Sequence, residues 1–181
     1  MHERRFEGNV ERLRNPQRIA LLEVERVVDS VLVGLSDIQS LLDVGTGTGL
    51  FAEQFDARGL GVTGLDVNPV MLNEARKYVP AASFEEGVAE RLPFKDASFD
   101  VVFMGLVLHE TDYLQKVFDE AYRVVRKRLA ILEWPYLVQD FGPPLEHRLS
   151  FEHISIAADQ SGFIPINKVE LENLVLYLYK K

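Results

Sequence analysis

The chain has 181 residues, 47% of them hydrophobic, a formal charge of −8 and no cysteine. That length and apolar content support one well-cored domain, while the acidic balance opposes a nucleic-acid groove, which needs clustered Lys and Arg. The lack of cysteine excludes disulfides and thiolate chemistry; with no bilayer-length apolar run and no signal-like character in Met1–Glu7, a cytoplasmic protein is expected.

The polar segment 2–14 carries Phe6, Val10 and Leu13 at helical spacing, a weak apolar face suited to lying over a pocket. Asn15-Pro16 is an N-cap and first-turn pair. Leu21, Val24, Val28 and Val31 then mark one face of a single helix ending near Gly34. Residues 1–34 are therefore expected to form a helical lid or cap, and residues 35–181 the core.

Ile38–Val44 reads as the first strand, and its end meets Gly45, Gly47 and Gly49 on alternate positions before a helix over Gly49–Ala57. Such glycines remove a Cβ where backbone turns with positive φ or approaches a bound molecule. The helix start adds unpaired N–H groups that suit an anion. Gly61–Val67 reads as a second strand carrying Asp66 near its end, and Asn68-Pro69 caps a helix with Met71, Ala75 and Tyr78 facing inward. Ala81–Glu85 is a short third strand, Gly87–Arg91 one helical turn, and Phe99–Gly105 a strand buried on both faces. Leu114, Val117, Phe118, Ala121 and Val125 mark an amphipathic helix. Leu129–Trp134 is the fifth strand, Pro135–Leu149 a long loop, and Ser150 opens a helix closing at Gly162. Phe163–Val169 and Leu174–Tyr179 are joined too closely for a helical crossover and are expected to pair antiparallel. Arg123 and the run Arg126-Lys127-Arg128 read as solvated surface.

Strands alternating with helices at this spacing predict an α/β, doubly wound, mainly parallel seven-stranded sheet with one antiparallel strand near the end. Ligands of open parallel sheets sit beyond the carboxyl ends of the strands.

The run Asp43-Val44-Gly45-Thr46-Gly47-Thr48-Gly49 resembles the first motif of class I S-adenosylmethionine (SAM) dependent methyltransferases. A dinucleotide fingerprint would need glycine at position 50, where Leu50 stands. Asp66 lies where a carboxylate accepts from ribose hydroxyls. Gly87–Phe94 resembles the family's adenine-binding loop, with Val88 in place of the usual Asp, so the base would rest on backbone near Ala89 and on apolar sandwiching. Asp96–Gly105 resembles the fourth motif, whose exit residue Leu106 would touch cofactor. Glu133-Trp134-Pro135 and Gly142–Arg148 resemble a small type 11 methyltransferase subgroup.

The resemblance implies SAM as cofactor, held by Asp43, Gly45, Thr46, Gly47, Gly49, Asp66, Val67, Val88, Ala89 and Leu106. It also implies transfer of a methyl group to a small, partly apolar acceptor. Trp134 and Tyr136 would wall the acceptor pocket, with His147 and Arg148 as polar handles. No nucleic acid, membrane or metal partner is expected. His109, followed by Glu110, is the candidate general base, although a histidine that packs and bonds locally at a helix start is the preferred reading of the same residue. Two other functions share these motifs: a SAM-binding regulatory or partner subunit without its own acceptor site, and aminopropyl transfer from decarboxylated SAM.

Overall fold

The computed structural model describes residues 10–181. Its strands are β1 (Ser40–Val44), β2 (Gly61–Asp66), β3 (Ser83–Glu86), β4 (Phe99–Gly105), β5 (Val125–Glu133), β6 (Ile164–Glu170) and β7 (Val175–Lys180). Among the described residues they form one sheet in the order β3-β2-β1-β4-β5-β7-β6. β1 to β5 run parallel, and β7 runs antiparallel to both β5 and β6. This is the predicted doubly wound sheet with one reversed strand.

Burial on both faces explains why the central strands are nearly continuous apolar runs. Successive side chains point to opposite faces, and neighbours such as Leu41 and Leu42, or Val101 and Val102, enter different cores. On one face Leu41, Val101 and Phe103 pack against α3 (Val24–Leu32), α4 (Leu50–Asp56) and α5 (Pro69–Tyr78). On the other Leu42, Val102 and Ile131 pack against α6 (Leu114–Val124) and α7 (Phe151–Gln160). The first two helices, α1 (Val10–Leu13) and α2 (Pro16–Leu21), are short.

Several expectations are corrected. Residues 16–34 are two helices, because Glu23 sits at φ 45 between α2 and α3. Its carboxylate accepts from Arg26 and from the Glu172 N–H, and the break puts Leu22 into the core while leaving Leu21 only half-buried. Gly87–Arg91 is not a helical turn: Val88 and Arg91 pair in an isolated antiparallel bridge. Tyr78 does not face inward; it is 44% exposed, with the Arg14 guanidinium 3.4 Å from its ring centroid. α6 passes directly into β5, which starts at Val125 rather than Leu129. The basic run is therefore strand, and it is not idle surface. Arg128 is buried and donates to the carbonyls of Val31 and Val33, closing the end of α3. Lys127 donates to the carbonyls of Ser36 and Asp37, and Arg126 pairs with Asp100. Arg123 binds Glu120, Asp96 and the carbonyls of Phe94 and Leu92. Of the weak helix expected over 2–14, Phe6 lies outside the described residues.

Candidate active site

The carboxyl ends of β1, β2, β4 and β5 open into a cavity of about 510 Å³, within the range of small-molecule sites. The glycine loop forms its floor. Gly45 and Gly47 have φ of 72 and 53, and the N–H groups of Gly45 and Thr46 donate to the Leu65 carbonyl. A Cβ on Gly45 would stand 2.6 Å from Val107, whereas one on Gly47 meets only Leu13 at 3.7 Å. The loop backbone is thus bare where it faces the cavity.

Asp66, at the end of β2, accepts from the Gly47 N–H at 2.8 Å and from the Asn68 N–H at 2.9 Å. Two backbone donors hold its carboxylate on the cavity wall, within reach of a ligand's hydroxyls. Leu65, Val67, Met71 and Ala89 form an apolar slot beside it. Thr48 also lines the cavity, and its buried hydroxyl has no partner among the described residues. A bare backbone cradle, an anchored carboxylate, an apolar slot and an orphan hydroxyl together fit an adenosyl group with a polar tail.

The facing wall follows β4. Leu106 takes φ 59, a left-handed conformation that a branched side chain rarely adopts, and its N–H donates to the Leu132 carbonyl. Such strained residues concentrate at functional sites. Beyond it His109 is buried but lines the cavity. Its partner is Glu133, at the end of β5 and 1% exposed. That carboxylate accepts from the N–H groups of Leu108, His109 and Trp134 and stands 2.9 Å from His109 Nδ1. A carboxylate can only accept, so Nδ1 carries the proton and Nε2 is the nitrogen left to exchange one. Burial pushes the imidazole pKa down, but the charge and hydrogen bond of Glu133 outweigh burial, and the result is raised above 6.5.

The roof has two parts. From the N-terminal segment, Arg12, Leu13, Arg18 and Leu22 line the cavity. Arg14 anchors that segment by donating twice to the Thr48 carbonyl and once to Glu53. From the loop after β5, Trp134, Gly142, Pro143 and His147 line it. A Cβ on Gly142 would fall 2.8 Å from the indole, so glycine lets the loop lie flat on Trp134.

The cavity brings together Gly45, Thr46, Gly47, Asp66, Val67, Ala89, Leu106, His109, Trp134 and His147 as expected. Five expected residues do not line it. Asp43 is buried beneath the loop and accepts from the Thr46 hydroxyl at 2.7 Å. Gly49 starts α4 with φ 74, and a Cβ there would press on Ala75 at 3.0 Å, so its need is helix packing. Val88 is used in the bridge to Arg91. Tyr136 is 56% exposed. Arg148 is buried and is a structural latch: it donates to the carbonyls of Pro135, Leu137, Phe141 and Pro143 and to Gln139 Oε1, so its donors are spent within its own loop. Glu133 and Thr48 were not among the expected site residues. The available signal for Glu133 was an acid closing a strand that is otherwise apolar from Leu129 to Leu132.

Among the described residues no cluster of acids and histidines could hold a metal ion, and no helix is long and apolar enough to cross a membrane.

This sheet order, with a glycine loop after β1 and an acid after β2, defines the SAM-dependent methyltransferase class, and SAM is the cofactor the site accommodates. A family model for the methyltransferase domain (type 11) matches residues 42–131, so the chain carries a domain of that family. It is 44% identical over 87 residues to a demethylmenaquinone methyltransferase of Chlorobaculum parvum, covering 48% of this chain and 36% of that protein. It is 36% identical over 116 residues to a malonyl-[acyl-carrier protein] O-methyltransferase of Serratia marcescens, covering 62% and 46%. The chain thus spans less than half the length of these curated relatives. A SAM-dependent methyltransferase structure from Aquifex aeolicus superposes with a TM-score of 0.82 at 26% identity, covering 94% of this chain and 96% of that one.

Proposed function

We propose that the chain transfers a methyl group from SAM to a small, partly apolar acceptor, with His109 taking the acceptor's proton. The acceptor sits between the N-terminal segment and the loop running from Trp134 to Arg148. The observation that carries this reading is the Glu133-anchored imidazole of His109 on the wall of the cavity that also holds the glycine loop and Asp66.

SAM supplies a methyl group already activated on a sulfonium. What remains for the chain is positioning and proton removal, and positioning alone is worth up to ~7–11 kcal/mol in favourable cases. The bare backbone of Gly47 and the carboxylate of Asp66 hold the cofactor; Leu106 and Val107 keep the exit of β4 apolar. Trp134 and the N-terminal segment exclude water from the acceptor. Glu133 fixes the ring of His109, so Nε2 receives the proton without reorienting.

The test is release of S-adenosylhomocysteine over a panel of small hydroxyl- and carbon-acid acceptors. His109→Gln should lower the rate by roughly 10²–10⁴-fold, the span of general-base catalysis. Because the working form of His109 is unprotonated and its pKa is raised, the wild-type rate should rise with pH along a limb centred above 6.5. Glu133→Gln removes the charge that raises it and should move that limb downward. A His109→Gln variant with the wild-type rate would contradict the assignment.

A further inference from the structure

Two guanidiniums in the roof stand apart from the other arginines. Arg18 is half-buried and Arg12 exposed, and both line the cavity. Among the described residues neither side chain makes a hydrogen bond or ion pair, in contrast to Arg14, Arg123, Arg128 and Arg148, each of which donates to carbonyls or carboxylates of the fold. The break at Glu23 sets the direction of α2, the helix that carries Arg18 into the cavity wall. Arg18 feels Arg12 as a like charge and Glu110, next to His109, as an opposite one. Arg18, His109 and Glu110 line the same cavity.

Partial burial of a guanidinium that no acceptor hydrogen-bonds costs free energy, and a second positive charge beside it adds to that cost, which the charge of Glu110 offsets only in part. In a chain of net charge −8 this pair sets two positive charges on a cavity wall that also carries Asp66 and Glu110. The half-buried planar fork of Arg18 matches a carboxylate or phosphate, which it can bind through two parallel hydrogen bonds.

We propose that the methyl acceptor is an anion: a small molecule with an apolar body against Trp134 and Leu106 and a carboxylate or similar group bound by Arg18 and Arg12. This rests on the methyltransferase reading above. The cofactor also has a carboxylate, so the same guanidiniums have two possible sources of anion, and the assignment here is to the acceptor.

The test uses the full chain saturated with S-adenosylhomocysteine. Acetate, phenylacetate and 1-naphthylacetate are titrated by calorimetry beside their neutral primary amides. At least one carboxylate should bind about tenfold or more tightly than its amide, the factor for a hydrogen-bonded charged group. Arg18→Met keeps the apolar stem and should abolish that preference, while S-adenosylhomocysteine affinity stays within about twofold. If no carboxylate is preferred over its amide in the wild type, the acceptor is not held through an anion and the proposal fails. If Arg18→Met instead weakens S-adenosylhomocysteine and leaves the carboxylate preference intact, the guanidinium serves the cofactor and the proposal also fails. Failure of the wild type to bind S-adenosylhomocysteine at all would overturn the methyltransferase reading, and this proposal with it.

Discussion

Two aspartates on adjacent strands show how differently the two ends of this sheet are built. Asp100, at the start of β4, is buried at the amino end of the sheet. Burial pushes its pKa up, but the Gln39 N–H, the Arg126 guanidinium, and the N–H and hydroxyl of Ser40 overcome this and hold it at about 2. Asp43, near the end of β1, is also buried, and burial together with the nearby charge of Asp66 lifts it to about 7 despite the Thr46 hydroxyl. At the amino end the charge is fully satisfied and ties β1 to β4. At the carboxyl end charges are crowded and the Thr48 hydroxyl beside the cavity is left without a partner among the described residues. An end that must accept a ligand keeps part of its bonding capacity for that ligand.

The largest expected effect lies at the carboxyl end. Glu133→Ala strips the acceptor from three backbone N–H groups and from His109, and should cost about 3–5 kcal/mol of stability, as for one half of a buried charged pair. Urea unfolding measures it, and Glu133→Gln, which keeps an acceptor oxygen, should recover part of the loss. A Glu133→Ala protein as stable as wild type would remove the network from the account.

At the amino end the effect is smaller and has a pH signature. Asp100 is depressed from 3.8 to about 2, a shift worth about 2 kcal/mol by linkage. Because the folded pKa is the lower one, this stability is complete above pH 4 to 5 and drains away as pH falls toward 2. Asp100→Ala should therefore lose about 2 kcal/mol at pH 7 and show a flatter acid limb. Equal acid limbs in the two proteins would contradict the clamp.

Asp43 should give the opposite slope. Its folded pKa is raised to about 7, so between pH 4 and 7 the native state keeps a proton that the unfolded chain has released, and stability declines as pH rises. Asp43→Asn keeps an oxygen for the Thr46 hydroxyl and should remove that decline. The neutral amide replaces a charge that burial disfavours, so the variant should gain stability relative to wild type as pH rises through 7. Unfolding midpoints at pH 5 and pH 8 measure it; an unchanged pH dependence would refute the raised pKa.

How much of each end was legible in the sequence follows from the range of the interactions. β1 and β4 were readable because burial on both faces demands continuous apolar runs, and the glycine loop and Asp66 because their spacing is local. Val88 could not be placed, since its bridge to Arg91 depends on backbone geometry. Tyr78 belongs to the same helix as Met71, yet its ring is taken by Arg14, 64 residues earlier by number. Arg126, Lys127 and Arg128 looked like surface because their partners, Asp100 and the carbonyls between Val31 and Asp37, lie far away in sequence. Arg148 looked like a ligand handle because sequence does not show that five acceptors in its own loop surround it. His109 reads from sequence as a locally bonded histidine, whereas its partner Glu133 sits 24 residues away and only the pairing of β4 with β5 brings the two together.

The central claim is that the carboxyl end, with its glycine loop and Asp66, is where the cofactor binds. Calorimetric titration of S-adenosylhomocysteine onto the wild-type chain and onto Asp66→Ala tests it most directly. A hydrogen bond to a charged group is worth about 1.5–3 kcal/mol, so the variant should bind roughly ten- to hundredfold more weakly while unfolding at a similar urea concentration. Equal affinity in the two folded proteins, or no binding to the wild type, would contradict the account.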